Sequence, residues 1–193
     1  MGYNIYVVNN TAGISCSILY SAPADKKQTD SYQNIYKFIP GGNMLIPFDE
    51  KDIILCARFF EDVYTAPPWN CDWVDEEGAY SYLRDIYLTP GFVGFLYSDD
   101  SILPGEPIGF CVGCVQGYFN APAAYEIKEI MVAPAFQKQG IGTKMLNEVE
   151  HALTKQGVEL IMLHTDKTIP AYKMYTKNGY ISNERNVNMS KVI

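Results

Sequence analysis

The sequence lacks the features that would assign it to a membrane or to a secretory route. It has no apolar run long enough to span a bilayer. Residues 1–10 have neither the basic leader nor the sustained apolar core of a signal peptide. We therefore expect a cytoplasmic protein with no membrane partner.

Candidate metal ligands are scarce. The chain has only two histidines, His151 and His164, and its five cysteines include a single close pair, Cys111 and Cys114. That pair falls in a predicted strand, where residues three apart face opposite sides and cannot easily share one ion. We expect no metal, and cysteines that are reduced and buried.

Positive charge is in deficit. The chain has 15 Lys and Arg against 22 Asp and Glu, a net charge of −7, and no basic stripe, so we expect no nucleic-acid partner. Residues 1–125 carry six basic and fifteen acidic residues (net −9), whereas residues 126–193 carry nine and seven (net +2). A polyanionic ligand is better tolerated by the second part, and a cation is drawn to the first.

One stretch organises the chain. Residues 125–132 have strand composition, Pro134 ends the strand, and a polar turn at 137–143 contains Gly140 and Gly142. Behind the turn, apolar residues recur at helical spacing: Ile141, Met145, Val149 and Leu153. The first N–H groups of a helix attract anions, so this turn predicts a phosphate site. An ordinary strand-to-helix connection that binds nothing is the alternative.

Two other phosphate motifs compete with this prediction. A P-loop requires Gly-Lys-Ser/Thr, but here the order is Gly142-Thr143-Lys144, which excludes it. A dinucleotide fingerprint requires a third glycine where Met145 stands, although Asp166 could imitate its ribose-binding acid. The absence of that third glycine weakens the dinucleotide-binding alternative, which stays open.

The turn resembles the GNAT superfamily of acetyl-CoA-dependent N-acetyltransferases, which carries the pattern Gln137-x-x-Gly140-x-Gly142 after a strand. A second block, residues 171–180, looks like the family's Ala-x-x-Phe-Tyr-x-Lys-x-Gly-Phe segment, with Met174 and Tyr180 replacing phenylalanines. Thr168 departs from the family, many of whose members have an asparagine there. The resemblance covers residues 44–193.

Periodicity and turn residues predict the order of elements. The predicted strands are Asn4–Val8, Ile14–Tyr20, Ile35–Ile39, Met44–Pro47, Phe92–Tyr97, Ile108–Val115, Tyr125–Val132, Glu159–His164 and Val187–Val192. The predicted helices are Glu50–Tyr64 with Asp49 as its cap, Asp75–Leu88, the helix behind the turn with Gly157 at its end, and one that contains Tyr175, capped by Thr168.

This order and the resemblance imply an α/β fold with a mixed, mostly antiparallel central sheet and helices on both faces. The resemblance adds that the central parallel strands after Tyr125 and Glu159 splay apart. Residues 44–193 would form the acetyltransferase domain. Residues 1–43 would form a β-rich N-terminal extension of unknown role, and a homodimer contact is one use for it.

The resemblance implies acetyl-CoA as co-substrate, with its pantetheine arm between the splayed strands. The residues expected to bind it are Ile130, Met131, Val132, Gln137, Lys138, Gln139, Gly140, Ile141, Gly142, Thr143, Thr168 and Tyr172.

The chemistry requires a neutral amine, and alkyl amines resemble lysine with a pKa of about 10.4. A carboxylate on the central strand can take the proton, with Glu126 the first choice by the resemblance and Glu129 the second. Tyr175 matches the family's acid for the leaving thiolate. The alternative for each glutamate is an exposed or ion-paired strand carboxylate without a catalytic role, and the alternative for Tyr175 is a tyrosine that packs in the core.

The connection between the first two helices is the predicted acceptor site. Trp69 and Trp73 can present flat faces to a cation, and Asn70 and Asp72 offer hydrogen-bond acceptors. Simple packing of the helix junction is the alternative. The predicted function is N-acetylation of a small-molecule or peptidic amine, of cationic type. A non-catalytic acyl-CoA-binding module and a nucleotide-binding domain are the other hypotheses.

Overall fold

The computed structural model describes residues 7–9, 15–17, 44–117, 123–183, 189 and 191–192. The chain divides into two compact units, one formed by Met1–Pro23 with Thr165–Ile193 and the other by Ala24–His164. The described elements in chain order are β1 (Val7–Asn9), β2 (Ser15–Ser17), β3 (Leu45–Pro47), α1 (Ile53–Thr65), α2 (Glu76–Tyr87), β4 (Phe92–Ser98), β5 (Pro107–Gln116), β6 (Ala123–Val132), α3 (Ile141–Thr154), β7 (Val158–Leu163) and α4 (Pro170–Lys177). Short 3-10 turns at Glu50–Asp52 and Pro134–Phe136 precede α1 and α3.

Five strands of the unit Ala24–His164 form one open sheet in the order β3-β4-β5-β6-β7. The first three neighbouring pairs are antiparallel, and β6 and β7 are parallel. The last pair between β6 and β7 joins Ile127 to Leu163, so residues 128–132 of β6 run on beyond it. The mixed, mostly antiparallel sheet with splayed parallel strands is therefore confirmed.

Helices cover both faces of this sheet, as predicted. On one face, α1 and α2 pack with Phe110, Val112 and Met131 into a single hydrophobic cluster. Helix α3 lies on the other face. Gly109 is the neighbour of Phe110 on β5 and so faces the opposite side, and a Cβ built on it would lie 3.5 Å from Cε of Met145, a residue of α3. The two layers of side chains bury the strands on both sides, which explains their nearly continuous apolar sequences.

Side-chain caps set where the first two helices begin. Asp49 Oδ1 accepts the Glu50 N–H at 2.7 Å, and the Asp49 N–H donates to Asp52 Oδ2 at 2.8 Å. Asp75 accepts the Gly78 N–H at 2.7 Å at the start of α2. Both caps satisfy N–H groups that a helix leaves unpaired. The predicted capping by Asp49 is therefore confirmed, although a 3-10 turn stands between Asp49 and α1.

In the other unit, β1 and β2 pair antiparallel, with Val8 opposite Cys16. They fall within the predicted strands except at Asn9, and the predicted strand Ile35–Ile39 lies outside the described residues. The predicted strand Val187–Val192 lies mostly outside them too, and its described members are not in a strand.

The predicted cap of the last helix is wrong. The N-cap of α4 is Ile169, and no side chain of the described residues caps it. Thr168 instead turns back on Asp166, whose Oδ1 accepts both its N–H (2.6 Å) and its hydroxyl (2.7 Å). Asp166 satisfies these groups locally, and Pro170 at the start of α4 has no N–H for a cap to bind.

Candidate active site

The turn between β6 and α3 is shaped for an anion. Lys138 (φ 61°) and Gly140 (φ 78°) both adopt the left-handed conformation, and Gly140 is the N-cap of α3. A Cβ on Gly140 would meet nothing within 4 Å, so the glycine is needed for its backbone angle and not for space. Gln137 Nε2 donates to the Val132 carbonyl at 2.9 Å and ties the turn to the end of β6.

The start of α3 has no capping side chain among the described residues. Residues 137–140 are exposed, and Gly142 and Thr143 are half-buried. Uncapped N–H groups, the helix dipole and the exposed Lys138 all favour a bound phosphate. The turn can therefore accept an anionic group without any rearrangement of a cap.

The unpaired end of β6 supplies a second element for such a ligand. Beyond Ile127 no strand among the described residues pairs with β6 on the β7 side, while its other edge pairs with β5 through Met131 opposite Phe110. Ile130 and Val132 are half-buried and Met131 is buried. Backbone groups along this edge can pair with an extended ligand as an added strand would.

A bulge in β6 controls which way its carboxylates point. Glu129 is opposite Val112 and Ile127 is opposite Gly113, so Lys128 is an extra residue in the ladder. Glu126 is opposite Cys114, which shares a face of β5 with Val112. On a regular strand residues three apart face opposite sides, but here Glu126 and Glu129 both face α1 and α2.

Glu129 is buried and held by two hydroxyls. Tyr82 of α2 donates to Oε1 at 2.8 Å, and Tyr64 of α1 donates to Oε2 at 3.4 Å. Desolvation raises the pKa of Glu129 to about 7, against the opposing effects of the Tyr82 and Tyr64 hydrogen bonds and of Lys128. A carboxyl with this pKa can both accept and release a proton near neutral pH.

Glu126 is also buried, but it is engaged in an ion pair. Lys128 Nζ lies 2.8 Å from its Oε1, and His164 Nδ1 lies 3.6 Å from the same oxygen. Gln116 Nε2 donates to Oε2 at 3.3 Å. The two glutamates therefore differ, since Glu126 forms an ion pair with Lys128 whereas the hydrogen-bond donors described for Glu129 are two neutral hydroxyls.

Three predicted site residues lie in the unit that contains α4. Tyr175 is buried, and its ring centroid lies 5.6 Å from that of Tyr180. Tyr172 is half-buried on the same helix, and Thr168 is engaged with Asp166. Their roles stay predictions.

The predicted acceptor residues separate into two groups. Trp69 is half-buried, with its ring centroid 5.0 Å from that of Tyr64, and packs against the hydrophobic cluster beneath α1 and α2. Asn70 is exposed and donates to the Pro68 carbonyl at 3.3 Å. Asp72 is exposed and Trp73 keeps 50% of its surface in solvent. Trp69 is thus linked to Glu129 through Tyr64, whose hydroxyl donates to that carboxylate.

The two residues whose hydroxyls hold Glu129 were not predicted from the sequence. Tyr64 was named only as the last residue of a predicted helix, nothing in the pattern linked it to Glu129, and Tyr82 was not singled out. Their hydrogen bonds to Glu129 join residues 65 and 47 positions apart in the sequence, so no local sequence pattern could predict them.

Within the described ranges, no helix has the length and apolar character needed to cross a bilayer. The same described residues contain no group of three or more His, Cys, Asp or Glu side chains placed to hold a metal ion.

The comparisons with known proteins agree with this geometry. The model of the acetyltransferase (GNAT) family matches residues 56–180, which include β6, the turn and α4. The chain belongs to that family. No curated protein matches the sequence.

Solved structures share the fold at low identity. A possible acetyltransferase from Clostridium difficile 630 is 13% identical with a TM-score of 0.64, covering 77% of this chain and 97% of its own. An acetyltransferase from Trypanosoma brucei is 17% identical with a TM-score of 0.55, covering 76% and 98%. An aminoglycoside acetyltransferase from an uncultured soil metagenomic sample is 18% identical with a TM-score of 0.57, covering 77% and 97%.

Proposed function

We propose that the chain transfers the acetyl group of acetyl-CoA to a primary amine of a small molecule or peptide, with Glu129 as general base. One observation carries this proposal: a buried carboxyl with a pKa of about 7 lies on the strand that leads into the anion-binding turn. Family membership supplies the reaction class, and Glu129 supplies the proton acceptor that the reaction needs.

The cofactor arm and pyrophosphate would be held by residues already described. Backbone groups of 130–132 would pair with the arm, and N–H groups of 137–143 would bind the pyrophosphate. Thr168 and Tyr172 stay candidates from the family resemblance. When bound, acetyl-CoA supplies an acetyl group activated as a thioester.

Glu129 makes the amine reactive. An alkyl amine arrives as an ammonium ion at neutral pH, since its pKa is about 10. Glu129 Oε2 takes a proton from that nitrogen, whose freed electron pair then bonds to the acetyl carbon. The carbon–sulfur bond breaks with its electron pair going to sulfur, and the nitrogen releases its second proton to water to become the neutral amide. Tyr175 stays the candidate, from the resemblance, for the group that protonates the sulfur, and it would regain its own proton from water.

Glu129 is preferred to Glu126 for a geometric reason. Lys128 Nζ lies 2.8 Å from Glu126 Oε1 in an ion pair with little exposure to solvent, so this carboxylate is already occupied by a cation. Glu129 has no cation in direct contact with its carboxylate among the described contacts, and its hydrogen-bond donors are the neutral hydroxyls of Tyr82 and Tyr64. The order of the two candidates is therefore the reverse of the one that the resemblance favoured.

The acceptor is proposed to be cationic. Trp69 extends the aromatic layer beside Glu129, and an ammonium group over such rings gains about 0.5–2 kcal/mol. Asp72 and Trp73, exposed on the same connection, and Asn70 stay weaker candidates. A cytoplasmic location and a homodimer also stay predictions.

The test measures release of CoA thiol from acetyl-CoA with cationic, neutral and anionic amines at pH 8. We expect turnover with cationic primary amines and a loss of about 10²–10⁴-fold in kcat/KM for Glu129→Gln. CoA affinity measured by calorimetry should be retained. Glu126→Gln is the matched control, because it makes the same change three residues away, and its loss should be much smaller.

Each other hypothesis has its own outcome. A large loss in Glu126→Gln with an active Glu129→Gln would make Glu126 the base. Tight CoA binding without turnover of any amine would favour a non-catalytic module. Displacement of a bound probe by ATP or NAD, but not by CoA, would favour the nucleotide-binding alternative.

A further inference from the structure

The carboxylate of Glu129 has two unequal oxygens. Oε1 accepts a short bond from Tyr82 (2.8 Å), whereas Oε2 has only a long contact with Tyr64 (3.4 Å). A hydrogen bond weakens steeply as it lengthens beyond its usual range of about 2.5–3.0 Å for a hydroxyl donor. Oε2 therefore keeps the greater capacity to accept a further proton.

The two hydroxyls are themselves fixed by one ring. Phe60 stacks on Tyr64 with centroids 4.4 Å apart and meets Tyr82 edge-on at 5.4 Å. Phe60 is buried in the cluster beneath α1 and α2, so it orients a phenol on each helix. Neither hydroxyl can leave Glu129 without disturbing this packing.

We propose that Tyr82 is a positioning residue of the reaction, whose hydroxyl clamps Glu129 Oε1 and so directs Oε2 at the amine, with Tyr64 as the weaker second clamp. This inference rests on the proposed role of Glu129 as base. Tyr82 touches neither the amine nor the thioester in this scheme and acts through the carboxylate alone. Its effect is therefore on the ionisation and orientation of Glu129.

The direction of the effect follows from which form of the carboxyl is stabilised. A hydroxyl donor favours the ionised form, so Tyr82 and Tyr64 hold the pKa of Glu129 below the value that burial would otherwise impose. The other titratable neighbours are Lys128, which also lowers this pKa, and Cys111 of β5. Burial raises the pKa of the Cys111 thiol to about 12, so that neighbour stays neutral across the working range.

The primary experiment follows the Glu129 carboxyl itself by ¹³C NMR as a function of pH, with its signal assigned by loss in Glu129→Gln. We expect Tyr82→Phe to raise the titration midpoint by about one pH unit, and Tyr64→Phe to raise it by less. Tyr80→Phe is the matched control: Tyr80 lies on the same helix and packs against the same cluster, yet does not donate to Glu129. Its midpoint should equal that of the wild type.

The kinetic readout separates positioning from mere structural support. With the midpoint raised by one unit, Tyr82→Phe should lose about tenfold in kcat/KM at pH 6 and almost nothing through ionisation at pH 9. A change that only weakened the fold would lower activity at both pH values and would leave the midpoint unmoved.

The outcomes keep the two proposals apart. An unchanged or lowered midpoint in a folded Tyr82→Phe variant overturns the positioning role, whether or not the protein acetylates amines. A raised midpoint in a protein that turns over no amine supports the clamp and refutes the proposed function. A raised midpoint together with the pH-dependent loss supports both.

Discussion

At the scale of the residue, burial of a carboxyl has a cost that depends on pH. The folded protein holds Glu129 with a pKa of about 7, against an ordinary value of 4.5, because desolvation disfavours the charge. Between these values the folded state binds a proton that the unfolded state has released. The stability that Glu129 contributes is thus complete below about pH 4.5 and is lost as the pH rises through 7.

This linkage gives a prediction that does not involve catalysis. Glu129→Gln removes this titration. As the pH rises from 5 to 8, the unfolding free energy of the variant should therefore increase relative to that of the wild type, by an amount on the order of 3 kcal/mol at most. Urea unfolding of both proteins at the two pH values measures the change. An identical difference at both would mean that Glu129 ionises normally.

At the scale of the element, the bulge at Lys128 depends on a glycine in the neighbouring strand. A Cβ on Gly113 would overlap the Glu126 carbonyl oxygen and lie 2.8 Å from Cζ of Tyr125. Tyr125 is buried, and its hydroxyl donates to the Val93 carbonyl at 2.9 Å, so it has no room to withdraw. Gly113 therefore permits the close approach of β5 and β6 where the ladder shifts.

We predict that Gly113→Ala lowers the unfolding free energy by about 3 kcal/mol, since a backbone atom would have to move. It should also reduce activity by displacing Glu129. Gly105→Ala is the control: it strains a glycine with φ 76° but meets nothing within 4 Å, so about 1 kcal/mol is expected. Equal losses in urea unfolding would show that the overlap at Gly113 is relieved cheaply.

At the scale of the whole molecule, the uneven charge bears on how substrates arrive. Residues 1–125 have a net charge of −9 and include the connection that holds Trp69 and Asp72. Such an excess attracts cations over a range that salt shortens, since the Debye length is about 10 Å at 0.1 M.

We predict that raising the ionic strength from about 0.02 to about 0.2 M lowers kcat/KM for a cationic amine several-fold. A neutral amine acceptor serves as the control and should show little change. Steady-state rates at subsaturating amine and saturating acetyl-CoA give both values. A rate for the cationic amine that rose with salt would argue against an acidic acceptor side.

The sequence alone determined the local parts of this protein. The β6–turn–α3 unit was predicted from strand composition, Pro134 and the two glycines. The end of a strand, a left-handed backbone position and an apolar helix face are each set by residues close together in the sequence. Together with the block at 171–180 they indicated the GNAT family, which the family match confirmed. The Thr168 cap failed because two polar neighbours, Asp166 and Thr168, could satisfy each other in more than one way.

Only the tertiary structure distinguished the two glutamates, and the proposal of Glu129 as base rests on that difference. Strand periodicity puts Glu126 and Glu129 on opposite faces, whereas one extra residue in the β5–β6 ladder brings both to the same face. Lys128 then neutralises Glu126, and Tyr64 and Tyr82 reach Glu129 from 65 and 47 residues away. Register and long-range hydrogen bonds are set by how the helices pack on the sheet, and that packing is not a property of any short stretch of sequence.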